Sequence, residues 1–264
     1  SFFYSYILMK EVQSLWVGPQ LSELEVLCIK SFQKVWHGGY KTGYSKKRNQ
    51  KGLEKYLKAN LNGKNILEIG CGGGQWTKKI LEFDIFEKIY CTDVLSAEHN
   101  NFWEYMEMNS NDRIEYFQNT NFDLNFLKDG EIDFVFSYDV FCHISYSGLS
   151  AYLDSLSKKC KSGAKLLIMY ADANKYLKSE PENKFHVIKY LPEKKLIYKL
   201  SNKKLIKDAL LDKDGEPSDP NFEPRWYWVG IKNFTELCKE KGFRILNPDL
   251  DIDKTNPITL FEKA

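Results

Sequence analysis

Short apolar runs, separated by glycines and polar residues, recur along the chain from residue 65 to about residue 170. Runs of five or six mostly apolar residues predict buried strands, and apolar residues spaced three or four apart predict helices. The predicted strands are Asn65–Ile69, Lys88–Asp93, Ile114–Gln118, Ile132–Ser137 and Ser162–Tyr170, and the clearest predicted helices are Gln75–Phe83 and Tyr152–Cys160. Their alternation predicts an α/β protein with a doubly wound, parallel sheet.

The pattern changes after Tyr170. Residues 173–221 are polar, rich in lysine and interrupted by four prolines, which indicates an insertion of helices and loops over about 173–228. A helix at Asn233–Gly242 and an antiparallel pair of strands at Phe243–Leu246 and Ile258–Phe261 are predicted to follow. We therefore expect an N-terminal extension or cap over 1–60 and a main domain over 61–264.

A glycine turn follows the first predicted strand, with glycines at positions 70, 72 and 74. Glycine lets the main chain approach a ligand and adopt positive φ, and a helix start offers its backbone amides. Glu68 precedes this turn, and Asp93 ends the next strand, where a carboxylate can accept both hydroxyls of a ribose. Residue 75 is glutamine, so the G-x-G-x-x-G pattern of dinucleotide-binding proteins is not met. The turn predicts a site for a nucleotide-like cofactor.

This turn resembles the first motif of class I S-adenosylmethionine-dependent methyltransferases, a strand ending in E-x-G-x-G-x-G. The resemblance covers about Asn65 to Tyr170. It implies a Rossmann-like sheet whose last strand is antiparallel, with S-adenosylmethionine as cofactor and S-adenosylhomocysteine as product. The cofactor-binding residues that it implies are Glu68, Gly70, Cys71, Gly72, Gly74, Trp76, Asp93, Val94, Asn121, Phe122, Asp123 and Ser137. Many relatives carry Gly-Asp where this chain has Asn119-Thr120, so the partner of the adenine amine is left open.

Methyl transfer from a sulfonium is an in-line displacement, for which the enzyme aligns the acceptor and removes its proton. Asp139 and His143 follow the fourth predicted strand and are four residues apart, so a helix starting here would place them on one face. Asp139 could orient a neutral imidazole while His143 takes the proton. The reverse assignment stays open, as do a helix N-cap role for Asp139 and a packing role for His143.

Aromatic residues predict which parts of the chain contact the methyl acceptor. Trp36, Tyr40 and Tyr44 flank a glycine-containing loop, and Arg225-Trp226-Tyr227-Trp228 ends the predicted insertion. Indole faces stack on sugars or bases, and a guanidinium pairs with phosphate, although three consecutive aromatic residues are often core. The predicted acceptor-binding residues are Tyr40, Tyr44, Tyr138, Arg225, Trp226 and Trp228.

The N-terminal segments Met9–Gly18 and Leu21–Phe32 resemble the start of bacterial capsular-polysaccharide glycosyltransferases. The alternative is a packing extension without that context. A capsule context implies an acceptor such as a nucleotide-linked heptose, or a phosphoramidate substituent. We expect a small-molecule O-methyltransferase that acts on a glycan precursor.

Composition and the N-terminal residues narrow the possible partners, metal sites and location of the protein. The 38 basic and 36 acidic residues leave a formal charge of +2, which predicts neither a nucleic-acid partner nor a membrane surface. The six cysteines lack C-x-x-C spacing, so we expect reduced thiols, no zinc site and no disulfide framework. The apolar opening is too short to span a bilayer and has no basic leader, so we expect neither a signal peptide nor an anchor, and a cytoplasmic location.

Other functions fit the sequence less well. Exocyclic-amine methyltransferases of nucleic acids carry two prolines and an aromatic residue after the fourth strand, where this chain has Ser137-Tyr138-Asp139-Val140. A metal-assisted reaction could use Asp139 and Asp172, but no adjacent Asp-Asn pair supports it. A non-catalytic cofactor-binding partner is a further alternative, and oligomeric state is left open.

Overall fold

The computed structural model describes residues 47–61, 63–179 and 227–264. The N-terminal segment that resembles glycosyltransferases, most of the predicted insertion, and Tyr40, Tyr44, Arg225 and Trp226 lie outside these ranges. Elements are numbered within them. The strands are β1 (Asn65–Ile69), β2 (Lys88–Asp93), β3 (Ile114–Gln118), β4 (Ile132–Ser137), β5 (Cys160–Met169), β6 (Phe243–Asn247) and β7 (Ile258–Lys263). The helices are α1 (Lys47–Asn60), α2 (Gln75–Phe83), α3 (Phe102–Met106), α4 (Tyr146–Lys159), α5 (Ala173–Ser179) and α6 (Ile231–Glu240), with a 3-10 helix at Phe141–His143.

The seven strands form one sheet in the order β3-β2-β1-β4-β5-β7-β6. β1 pairs with β2 and β4 in parallel, and β3 and β5 extend the parallel part on either side. β7 lies between β5 and β6 and is antiparallel to both. The predicted Rossmann-like class with an antiparallel last strand is confirmed. Since β1 and β4 are neighbours near the middle of the sheet, their carboxyl ends adjoin.

Side chains that alternate along the strands form two cores, one on each face of the sheet. On β1, Ile66 belongs to one core, while Leu67 and Ile69 belong to the other. The first core also contains residues of α1, α2 and α3, and the second contains residues of α4 and α6. The central strands β1, β2 and β4 are therefore buried on both faces, as expected of the parallel strands of an α/β sheet.

Helix α1 lies in the part of the chain that the sequence assigned to an N-terminal extension. Its Leu53 and Leu57 are 1% and 0% exposed and belong to the core under the sheet. Residues 47–60 therefore contribute to the core of the main domain.

Both predicted boundaries of α4 were wrong. The predicted helix ended at Cys160, but this residue is the first of β5. The helix begins six residues before the predicted start, because the Ser145 hydroxyl caps it by accepting the amide of Gly148 at 3.2 Å. Within the described ranges, no helix has the length and apolar character needed to cross a membrane.

Candidate cofactor and acceptor site

The three motif glycines between β1 and α2 all have positive φ, at 73°, 51° and 87°. A Cβ on Gly70 would lie 2.1 Å from Cγ2 of Val140, and a Cβ on Gly74 would lie 2.9 Å from the ring of Phe102. A Cβ on Gly72 would meet nothing within 4 Å. Gly70 and Gly74 therefore allow close packing, whereas Gly72 faces the open space that a cofactor needs beside the main chain.

Asp93 ends β2 directly opposite this turn. Its Oδ2 accepts the amide of Gly72 and its Oδ1 accepts the amide of Leu95, both at 3.0 Å. Burial raises the pKa of Asp93, while these hydrogen bonds oppose that rise. The side chain of Asp93 is therefore fixed beside the glycine turn.

Glu68 lies behind the glycine turn and is 2% exposed. Its Oε2 accepts the hydroxyl of Thr77 at 2.6 Å, which joins β1 to α2. Burial raises the pKa of Glu68 to about 8, although the Thr77 hydrogen bond acts in the opposite direction. Glu68 is therefore mainly protonated near neutral pH. Cys71, in the same turn, is also buried, and burial raises the pKa of its thiol.

Trp76 on α2 packs against the end of β4. Its ring centroid lies 5.5 Å from those of both Phe136 and Tyr138, at the end of β4 and just beyond it. Ser137 is 1% exposed and donates its hydroxyl to the carbonyl of Ile69 at 3.0 Å. Trp76 and Tyr138 are half-buried, while Ser137 joins β4 to β1.

A cleft opens between the carboxyl ends of β1, β2 and β4, with about 370 Å³ of space including its mouth. Five predicted cofactor-binding residues line it: Gly70, Asp93, Val94, Asn121 and Phe122. The sequence did not indicate Ile69, Thr92, Val140 or Tyr152, which also line it. Tyr152 lies on α4, with its ring 5.3 Å from that of Phe122. No local motif marks such a contact, because it joins residues 30 positions apart.

The loop after β3 is held by its own side chains. Oδ1 of Asn119 accepts the amide of Asn121, and Oδ1 of Asn121 accepts the amide of Asp123, at 3.3 Å and 3.0 Å. The Asn119 side-chain amide donates to the carbonyl of Asp123 at 2.7 Å. Asn119, the residue at which this chain departs from many relatives, therefore shapes the rim of the cleft, and Asn119 and Thr120 both line it.

The turn after β4 carries the two predicted catalytic residues. The helix predicted to start at Asp139 does not form, because Asp139 has a left-handed φ of 61°. A 3-10 helix follows, in which the amide of His143 donates to the carbonyl of Val140 at 2.8 Å. Val140 is its N-cap residue, so the predicted alternative that Asp139 is a helix N-cap was wrong.

The same turn nevertheless brings Asp139 and His143 together, and it adds Cys142. Ligand atoms of all three side chains lie within 4.8 Å of one another. Cys142 is fully buried, and its Sγ donates to Oδ1 of Asp139 at 3.6 Å. The amide of Tyr227 holds the turn by donating to the carbonyl of Cys142 at 2.9 Å. Sequence reasoning missed Cys142, although the Asp-x-x-Cys-His spacing is visible in the chain.

The sequence matches the family described as "Methyltransferase domain" over residues 42–247. The chain belongs to this methyltransferase family. The match covers the glycine turn, the cleft and the turn after β4. No curated protein sequence matches this methyltransferase significantly.

Solved structures share the fold of the methyltransferase. A Burkholderia thailandensis 1,6-didemethyltoxoflavin-N1-methyltransferase, with 1,6-didemethyltoxoflavin and S-adenosylhomocysteine bound, has a TM-score of 0.55 at 12% identity, over 94% of this chain and 92% of that one. S-adenosylmethionine-dependent methyltransferases from Methanosarcina mazei and Aquifex aeolicus have TM-scores of 0.52 and 0.51, at 16% and 17% identity. They cover 79% and 80% of this chain, and 96% and 89% of their own.

Two further predicted site residues of the methyltransferase make contacts that indicate structural roles. Trp228, a predicted acceptor contact, is 5% exposed and lies against Tyr176, with ring centroids 5.6 Å apart. This burial favours the alternative that the aromatic run is partly core. Asp172 is 4% exposed, and its two oxygens accept the amides of Lys175 and Ile231 at 2.6 Å and 3.0 Å. Asp172 therefore joins α5 to α6, and these contacts give no support to its predicted alternative role in a metal-assisted reaction.

Proposed function

We propose that this methyltransferase methylates a hydroxyl of a small glycan precursor, such as a nucleotide-linked heptose of a capsular polysaccharide pathway. Its cofactor is S-adenosylmethionine, which when bound supplies an electrophilic methyl group on a sulfonium. One observation carries the proposal. Val140 lines the cleft, and the adjoining Asp139 and His143 are within 4.8 Å of each other on the same turn. We propose that the two residues form an acid–base pair at the border of the cleft.

The cofactor half of the site consists of the glycine turn and Asp93. The side chain of Asp93 is fixed by two backbone amides and is suited to accept ribose hydroxyls. The open space beside Gly72 admits a ligand close to the main chain. Val94, Asn121 and Phe122 form the wall against which we expect the adenine to lie. The remaining predicted cofactor-binding residues do not line the cleft, and we expect them to support the glycine turn and its neighbours: Glu68, Cys71, Gly74, Trp76, Asp123 and Ser137.

The acceptor half consists of the turn after β4. In the proposed mechanism, Asp139 orients a neutral imidazole, and a nitrogen of His143 takes the proton of the acceptor hydroxyl as the new bond to carbon forms. The strained turn holds the two side chains near each other without a helix. Since the pair acts as a unit, removal of either member should disable proton transfer.

The choice of acceptor rests on sequence features. The N-terminal similarity to capsular glycosyltransferases suggests a glycan context, and Arg225 with Trp226 suits a phosphorylated sugar. Tyr40 and Tyr44 are proposed to cover the acceptor, and Tyr138 to contact it from the turn. We propose a cytoplasmic location, because nucleotide-linked precursors are small charged molecules.

The test is an acceptor screen with the full chain and S-adenosylmethionine. The panel contains nucleotide-linked heptoses and hexoses, phosphoramidates, aromatic nitrogen heterocycles and transfer RNA. We expect a mass gain of one methylene on a nucleotide-linked sugar only, and no gain when its reactive hydroxyl is already methylated. Methylation only of a phosphoramidate, a heterocyclic nitrogen or RNA would contradict the proposed acceptor.

A further inference from the structure

Three side chains with different metal-ligand chemistry lie on the turn after β4. They offer a carboxylate oxygen from Asp139, a sulfur from Cys142 and an imidazole nitrogen from His143, all within 4.8 Å of one another. We propose that this turn binds a divalent transition-metal ion of the zinc type. Scattered cysteines without paired spacing had predicted no zinc site, but this triad needs only one cysteine.

The distances suit a small tetrahedral ion. Zinc lies about 2.3 Å from sulfur and about 2.0–2.2 Å from nitrogen or oxygen, so neighbouring ligand atoms are roughly 3.3–3.6 Å apart. Sγ of Cys142 and Oδ1 of Asp139 are already 3.6 Å apart. The widest separation in the triad therefore has to close by roughly 1 Å, which side-chain torsions of the half-buried Asp139 and His143 can supply.

The turn is held in place before any ion binds. The left-handed φ of Asp139 and the hydrogen bond from the His143 amide to the Val140 carbonyl fix its shape. The Tyr227 amide holds the carbonyl of Cys142, and Val140 packs on Gly70, where no Cβ would fit. A site on such a turn loses little conformational freedom when it captures an ion.

Ligand chemistry selects the class of ion. Thiolate and imidazole favour zinc, cobalt and related ions over magnesium and calcium, which prefer oxygen ligands. On binding, the S–H bond of Cys142 breaks, a sulfur–metal bond forms, and the proton passes to the buffer. Thiolate and carboxylate then balance the charge of the ion without any change of oxidation state. Three protein ligands leave a fourth position for water.

The consequence for methyl transfer rests on the proposed function, whereas the binding itself does not. A bound ion occupies the lone pairs with which Asp139 and His143 would orient and accept a proton. An imidazole that ligates the ion has no free lone pair, so the ion-bound His143 cannot act as the base, and we infer that zinc inhibits the enzyme at this site.

The test uses the tag-free full chain titrated with cobalt(II), which replaces zinc and reports sulfur ligation by a near-ultraviolet charge-transfer band. We expect that band to saturate at one equivalent and to disappear when zinc is added. Cys142→Ser should abolish it. Cys238→Ser is the matched control, since this buried thiol on α6 lies outside the triad. We expect it to retain the band.

Absence of the band in the wild type, or an undiminished band in Cys142→Ser, would overturn the inference. Should Cys142→Ser fail to fold, His143→Gln and Asp139→Asn decide the question, with an expected loss of cobalt affinity of at least about tenfold. Unchanged affinity in both would reject the site. A chain that binds cobalt through Cys142 but, free of metal, methylates no acceptor of the screen would keep this inference and reject the proposed function.

Discussion

The carboxyl ends of β1 and β2 and the carboxyl end of β4 adjoin in the sheet but are constructed differently. The first region relies on backbone amides, on glycines and on one fixed carboxylate, Asp93. The second relies on three side chains of a strained turn that begins at Asp139. Backbone contacts suit a cofactor that many methyltransferases share, whereas side chains can change with the acceptor. We therefore expect mutations in the two regions to separate cofactor binding from turnover.

Mutations in the turn after β4 should separate turnover from cofactor binding most strongly. His143→Ala and Asp139→Asn should each lower kcat by about 10²-fold or more, because proton removal is lost. The double variant should lose little beyond the worse single variant, since the two groups act as a unit. Steady-state kinetics with the acceptor found in the screen measures this. Cofactor affinity, measured by calorimetry, should stay near that of the wild type.

Full activity in both single variants would remove Asp139 and His143 from the mechanism. Alignment of the acceptor would then be the main contribution of the site.

The next effect should fall on the cofactor half. Asp93→Ala should weaken binding of S-adenosylhomocysteine by about 2–3 kcal/mol, because two charge-assisted hydrogen bonds are lost. Calorimetric titration reports this directly. Asp112→Ala is a useful control, since this carboxylate is exposed before β3 and is not among the residues that line the cleft. Equal affinity of a folded Asp93→Ala chain and the wild type would refute the assignment of Asp93.

The two regions meet where Gly70 packs against Val140. Gly70→Ala should destabilise the fold by about 1–3 kcal/mol, because its Cβ would lie 2.1 Å from Val140 at a positive φ. Gly72→Ala should cost less, on the order of 1 kcal/mol, since only its positive φ opposes alanine. Denaturant unfolding without cofactor measures both. If Gly72→Ala proved the less stable variant, the different roles given to the two glycines would be wrong.

A separate effect, measured as a slope, concerns the dependence of stability on pH. The pKa of Glu68 is about 8 in the fold and near its ordinary value of 4.5 in the unfolded chain. Below pH 4.5 both states hold the proton. Between pH 4.5 and 8 only the folded state keeps it, so rising pH lowers stability by up to about 1.4 kcal/mol per pH unit.

Glu68→Gln should remove this slope when unfolding is followed from pH 5 to 8 without cofactor. The exposed Glu82→Gln on α2 makes the same chemical change and should leave the slope intact. A slope that survives in Glu68→Gln would show that another group causes it.

Local patterns predicted most of the fold and five of the residues that line the cleft. The bounds of β1 to β4 follow from apolar runs that end at glycine or polar residues, and Asp93 follows from its place at the end of a strand. The conformation of the turn after β4 was harder to predict, because no distinctive neighbours in the sequence mark Asp139 as a residue with left-handed φ. Cys142 and Tyr152 were missed since their contacts depend on the folded turn and on α4. Burial of Trp228 against Tyr176 likewise depends on a distant residue.

One carboxylate has a consequence for how this enzyme could be re-engineered. Asp172 binds the amides of Lys175 and Ile231, so the beginnings of α5 and α6 are held by one side chain beyond the end of β5. Near this carboxylate, Tyr176 and Trp228 belong to the core and pack on each other. A chimera that exchanges the residues between α5 and α6 with those of a relative should therefore keep Asp172, Tyr176 and Trp228, so that the new segment meets an unchanged core.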